Sequence, residues 1–262
     1  MNLKEKAFGL LKKYKHAWVF SYALLYMPWF LYLEKHVTQD FYVIHSVIDD
    51  YIPFVEYFII PYLIWFVFIA VVFLYFFFTD VEGFYKLAKL SFIGMTIFLV
   101  ISTLMPNGLM LRPYVFPREN LCTDLVRWLY QTDTPTNVFP SLHVFNSLAA
   151  CIAIHESQEL RKHRAVQWSA YVLATTIILA TVFLKQHSVI DVMAAFVLAY
   201  ALYQFVYVPV PQGGASVGSE KGLSGKVTGG IFAYSFELQI QNINLKYKYN
   251  EDRGIRRNRE NG

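Results

Sequence analysis

The sequence predicts an all-α fold: a bundle of helices that crosses a membrane six times. Three observations carry this expectation. The 262-residue chain is 56% hydrophobic and 18% aromatic, with only 16% charged residues, which is too apolar for an ordinary soluble domain of this length. The apolar residues fall in blocks rather than in amphipathic alternation, and six blocks reach the roughly 17–25 residues a membrane helix needs. The loops between the blocks alternate between basic and acidic.

The blocks run over residues 17–33, 54–78, 89–105, 138–156, 165–184 and 188–208. Only a short polar turn at Lys185, Gln186 and His187 parts the fifth from the sixth. Basic residues precede the first block (Lys4, Lys6, Lys12, Lys13, Lys15), follow the second (Lys86, Lys89) and follow the fourth (Arg161, Lys162, Arg164). A chain that crosses at every block brings these segments to one side, and cationic loops favour the cytoplasm. The opposite loops carry Glu34, Asp40, Asp49 and Asp50, then Glu119, Asp124 and Asp133. The basic tail falls on the inner side too, so the N- and C-termini are both expected to be cytoplasmic.

The first block ends in Leu33, Glu34 and Lys35, without a small-residue cleavage pattern, and reads as a retained signal anchor. The net charge of +4 is accounted for by the cytoplasmic loops and tail and does not argue for a nucleic-acid partner. Cys122 and Cys151 show no pairing or metal-ligand spacing. Residues 1–211 are thus expected to form the six-span membrane domain. Residues 212–230 are polar and rich in Gly and Ser, as in a flexible linker. Alternation within 231–249 would suit a β-hairpin, marginal in isolation. The expectation for 212–262 is a polar cytoplasmic tail rather than a second domain.

Two segments on the outer side carry chemistry. In the first, Asn137 can cap a helix and Pro140 suits a first helical turn, which would hold Ser141 and His143. A helix N-terminus of this kind offers N–H groups to a phosphate, Ser141 can add a hydroxyl, and His143 can exchange a proton near neutral pH. A capped helix start with an interfacial histidine explains the same residues. In the second segment, His187 and Asp191 are four residues apart and share a helix face. The carboxylate would orient the imidazole and make its other nitrogen a better nucleophile or base. A stray surface pair is the plain alternative, but a carboxylate one turn into an apolar helix is costly unless it has a role. Lys185 reads equally as a snorkelling lysine or as a cation for phosphate. Arg112 offers a planar fork for phosphate oxygens, with Arg118 and Arg127 as weaker candidates. There is no glycine-rich nucleotide loop, no His-Glu-x-x-His and no Gly-x-Ser-x-Gly.

These segments resemble the signatures of the type-2 phosphatidic acid phosphatase superfamily of membrane lipid phosphatases and phosphotransferases. Its signatures are Lys-x6-Arg-Pro, Pro-Ser-Gly-His and Ser-Arg-x5-His-x3-Asp. Arg112 and Pro113 match the end of the first; Pro140, Ser141 and His143 match the second, with Leu142 in place of glycine; His187 and Asp191 match the end of the third. Met105 stands at the first signature's lysine, and Ala180 and Thr181 stand at the third's serine and arginine. Such variation is similar to that of the branch resembling inositol-phosphorylceramide and sphingomyelin synthases.

The resemblance implies a six-helix membrane enzyme that acts on a membrane lipid phosphate or pyrophosphate. His187 would attack phosphorus to form a phosphohistidine, Asp191 would orient it, and His143 would protonate the leaving alcohol and then activate water. Arg112, Ser141 and Lys185 would hold the phosphate oxygens, with no metal or other cofactor required. The site would face the extracytoplasmic side of a membrane, with a bacterial inner membrane expected. Two other readings stay open: a lipid phosphotransferase of the same fold, and a non-catalytic transporter or scaffold. The sequence carries no sign of an oligomeric state.

Overall fold

Side-chain caps set where three of the long helices begin in the computed structural model, which describes residues 12–38 and 40–208. The expectations for the tail after residue 211, and for Lys4 and Lys6, lie outside the described residues. A 3-10 stretch over Lys15–Tyr22 leads into α1 (Ala23–His36). A short helix α2 (Val47–Tyr51) opens on a capping box between Ser46 and Asp49. A turn over Glu56–Phe58 leads into α3 (Ile59–Thr79), followed by α4 (Val81–Leu104), whose first turn is held by the Asp80 carboxylate accepting from Gly83 N at 2.9 Å. Then come α5 (Leu121–Thr132), α6 (Leu142–Glu156), α7 (Arg164–Phe183) and α8 (Val189–Tyr207).

Four helical stretches among the described residues are long and apolar enough to cross a membrane: Glu56–Thr79, Val81–Leu104, Arg164–Phe183 and Val189–Tyr207. They coincide with the second, third, fifth and sixth apolar blocks. The first block is a 3-10 stretch joined to α1. The fourth starts four residues later than expected, at Leu142, because residues 137–141 are drawn into a loop. That leaves α6 with 15 residues, about 22 Å at ~1.5 Å per residue.

α6 is nonetheless central. It packs against α3, α4, α7 and α8, while α1 lies on α4. Ala149, Ala150 and Ala153 are buried on α6, and such small side chains let helix backbones approach closely where no water drives them together. The polarity of the molecule is inverted relative to a water-soluble bundle. On α3, Ile60, Ile64, Val67, Val71, Leu74 and Phe78 are exposed, a continuous apolar face of the kind that bilayer lipid covers.

α5 was not anticipated. It is amphipathic, burying Thr123, Val126 and Leu129 while Asp124 and Arg127 face outward, so its apolar residues never form a block. Two further short segments, β1 (Tyr42–Val43) and β2 (Asn107–Gly108), pair in parallel, and Gly108 also bridges Thr136. These ties gather three loops over one end of the bundle.

Gly94 on α4 shows how tightly α6 is seated. A Cβ there would run into the Phe145 ring, and Phe145 is fully buried one turn below the start of α6. Gly94→Ala is therefore expected to destabilise the protein by about 1–3 kcal/mol, as overpacking does. Thermal unfolding in detergent should show a lower midpoint, and an unchanged midpoint would mean that Phe145 repacks freely.

Candidate active site

The helices alternate in direction, so one end of the bundle collects the C-terminus of α1, the N-terminus of α3, the C-termini of α4 and α7, and the N-termini of α6 and α8. The chemistry-bearing residues lie at this end. Ser141 is the N-cap of α6: its Oγ accepts from Val144 N at 3.4 Å. Asn137 does not cap the helix, contrary to expectation. It lies in the left-handed region (φ 55°), and its side chain turns to Glu34. Pro140 accordingly precedes the cap, and His143 is the second residue of the helix.

The loop before α6 is fixed by Asn107, which the sequence reading overlooked. This fully buried side chain accepts from Val138 N and Phe139 N, both at 2.9 Å, and its carbonyl accepts from Asn137 N at 2.7 Å. A polar residue following a proline at the end of an apolar block was the available signal.

α8 begins with a second capping box, in which Ser188 Oγ accepts from Ile190 N and the Asp191 carboxylate accepts from Ser188 N at 2.8 Å. Asp191 is fully buried. Its carbonyl accepts from Ser141 N at 3.2 Å, which ties the starts of α6 and α8 together. His187 Nδ1 stands 3.4 Å from Asp191 Oδ2, a close contact rather than a formed hydrogen bond. Such bonds commonly tighten only when substrate is bound. The backbone N–H groups of Gln186 and His187 both donate to the Thr181 carbonyl, so the position at which the resembling signature has arginine here anchors the turn.

The two imidazoles come together: His143 and His187 have ring centroids 5.8 Å apart. Tyr62 and Trp65 lie against His143, at 4.6 and 4.3 Å, and the Trp65 indole donates to the His143 carbonyl at 3.1 Å. These contacts set the plane of the imidazole. Both histidines line a cavity of about 380 Å³ whose walls include Tyr26, Phe30, Phe98 and Trp128.

Arg112 reaches the same place. Its guanidinium donates to Gln186 Oε1 at 2.7 Å and to the Tyr130 carbonyl at 3.2 Å, and it lies over the Tyr130 ring. The other two loop arginines are committed elsewhere. Arg118 forms a fork on fully buried Glu56, and Arg127 pairs with Glu119 and Asp124. Lys185 is drawn away from the cavity. Its ammonium donates to the carbonyls of Asp49, at 2.7 Å, and Ile52. Burial lowers its pKa below the ordinary lysine value, with Asp49 and Asp50 opposing that shift. Asp49 is a second residue that the sequence reading passed over. Buried in α2, it accepts from Ser188 Oγ at 2.6 Å, Val189 N at 2.8 Å and Ser46 N at 2.8 Å.

With this geometry in place, the chain falls among mostly helical, integral membrane proteins with a histidine-lined cavity at one end of the bundle. Residues 110–213 match the model of the PAP2 superfamily, and the match on this segment supports membership of that superfamily. No curated protein and no solved structure matches the chain.

Asn107→Ala leaves two buried backbone N–H groups without acceptors, each costing about 1–3 kcal/mol. It is expected to lower the unfolding midpoint, with Asn107→Asp, which keeps the acceptor oxygen, lying between the two. Equal midpoints for Asn107→Ala and the parent would show that the loop does not depend on this side chain.

Proposed function

We propose that the protein cleaves the phosphorus–oxygen ester bond of a membrane lipid, with His187 as phosphoryl acceptor and water as the final acceptor. The observation that carries this reading is the meeting of His187, Asp191, His143 and Arg112 at one end of the bundle, from segments up to 79 positions apart in the numbering (191 less 112). Asp191 holds His187 through Nδ1, leaving Nε2 to attack phosphorus. The new nitrogen–phosphorus bond forms as the bond to the lipid oxygen breaks, and protonated His143 supplies the proton to that oxygen. Water then attacks phosphorus with His143 as base, and the nitrogen–phosphorus bond breaks. Arg112 and the N-termini of α6 and α8 face the phosphate oxygens. Lys185, bound to two carbonyls, serves this scheme by holding the turn before His187.

The same reading has six membrane crossings, with the 3-10 stretch and α1 as the first and α6 as the fourth. Both termini are then cytoplasmic, the active end faces the extracytoplasmic side, and 212–262 form a polar cytoplasmic tail. The acyl chains enter the cavity past its aromatic wall. A lipid phosphotransferase is the second reading. It is favoured by the buried, uncharged Ala180 and Thr181, which leave the site with fewer fixed cations than the resembling signature.

The test is release of lipid alcohol and phosphate by detergent-purified protein, on a panel of lipid phosphates and pyrophosphates. His187→Ala is expected to lose activity by about a thousandfold or more, and His143→Ala by roughly a hundredfold to ten-thousandfold. Activity that survives His187→Ala would overturn the assignment. Turnover only when an acceptor lipid is added would establish the transferase, and turnover under neither condition would leave the scaffold reading.

A further inference from the structure

Two carboxylates stand on the wall of the cavity, where phosphate binding alone would place none. Glu34, near the end of α1, and Asp133, directly after α5, line it together with His143 and His187. Among the described residues neither takes part in an ion pair. Glu34 is met by neutral donors: the Thr134 hydroxyl at 2.6 Å and the Asn137 side-chain nitrogen at 3.0 Å. Asp133 faces the Tyr62 hydroxyl at 3.4 Å. Burial raises the Asp133 carboxyl above its ordinary range, against the pull of nearby Arg112 and with a further push from Glu34.

Asn137 adds an independent sign. It is 6% exposed and lines the same cavity. A carboxylate only accepts, so the amide must turn its NH2 toward Glu34. That leaves Asn137 Oδ1 buried without a donor. An unfilled acceptor beside a carboxylate calls for an N–H group that carries positive charge. Faces of aromatic rings such as Tyr26 and Trp65, also on the wall, attract the same sign.

Resting on the phosphoryl-transfer reading above, we propose that Glu34, Asp133 and Asn137 form a subsite for a primary ammonium group on the substrate's headgroup. The preferred substrate class is then a zwitterionic lipid phosphodiester with an amino-alcohol headgroup. A lipid phosphate monoester brings two negative charges toward two carboxylates and is turned over less well. A quaternary ammonium has no N–H and leaves Asn137 Oδ1 unfilled. In the reaction, the bond from phosphorus to the glycerol oxygen breaks as the bond to His187 forms, and His143 protonates the departing diacylglycerol. The amino-alcohol phosphate stays on His187 until water attacks phosphorus, gives its proton to His143 and frees the nitrogen.

The experiment uses the full chain in mixed micelles of phosphatidylethanolamine, its N-acetylated form, phosphatidylcholine or phosphatidic acid, and reads diacylglycerol release. The kcat/KM for phosphatidylethanolamine should exceed that for each of the other three lipids by roughly tenfold or more. Glu34→Gln should bring the ratio to the N-acetylated lipid toward one. The wild-type ratio stands as a test even where the variant does not fold. Equal turnover of phosphatidylethanolamine and its N-acetylated form, or a ratio unmoved by a folded Glu34→Gln, overturns the ammonium subsite and leaves the phosphoryl-transfer reading standing. Diacylglycerol released from none of the four lipids, by a protein that also fails on the lipid phosphate panel, overturns both.

Discussion

The hydrogen bond from Ser141 N to the Asp191 carbonyl joins the starts of α6 and α8, and the rest of the site depends on that junction. Each helix brings one imidazole: His143 from inside the first turn of α6, His187 from the residue before the Ser188 cap of α8. Two helix N-termini side by side also gather unpaired N–H groups and the positive ends of two dipoles. An anion at this place answers a need that the helix ends themselves create. The junction is held by buried groups that water cannot replace. Asp191 serves as capping carboxylate for Ser188 while standing beside the His187 ring, so one side chain shapes the helix start and orients the proposed nucleophile.

A layer of loops braces this end. Asn107 holds the segment before α6, and Asp49 holds the segment before α8. Lys185 sits in the left-handed region (φ 53°), a strained place for a residue with a Cβ. Its ammonium on the Asp49 and Ile52 carbonyls helps keep it there. The loops at this end therefore do more than connect helices: β1, β2 and Thr136 pair across three of them.

The long helices were legible because hydrophobic length is a strong signal: α7 and α8 begin and end within one residue of their blocks, and α3 ends within one residue of its block but starts five residues later, after the turn over Glu56–Phe58. The start of α4 lay eight residues upstream of its block, since Lys86, Lys89 and Glu82 interrupt the apolar run without interrupting the helix. α5 was invisible to a search for blocks because Asp124 and Arg127 alternate with its buried residues. In the site, His143, His187, Asp191 and Arg112 could be picked out because ionisable groups beside apolar helices are scarce. Lys185 could not be placed from sequence, since a flexible four-carbon stem reaches a phosphate or a neighbouring carbonyl equally well. Asn107, Asp49 and Glu34 act across loops, at separations that no local spacing records.

The central claim is that phosphorus passes through His187, and a covalent trap tests it most directly. The protein would be mixed with a lipid substrate labelled at phosphorus and quenched within the first turnover. The account predicts a label that is stable in alkali, labile in acid and confined to the peptide containing His187, and that is absent from His187→Ala. Turnover of labelled lipid with no label on the protein, or label on another residue, would contradict it.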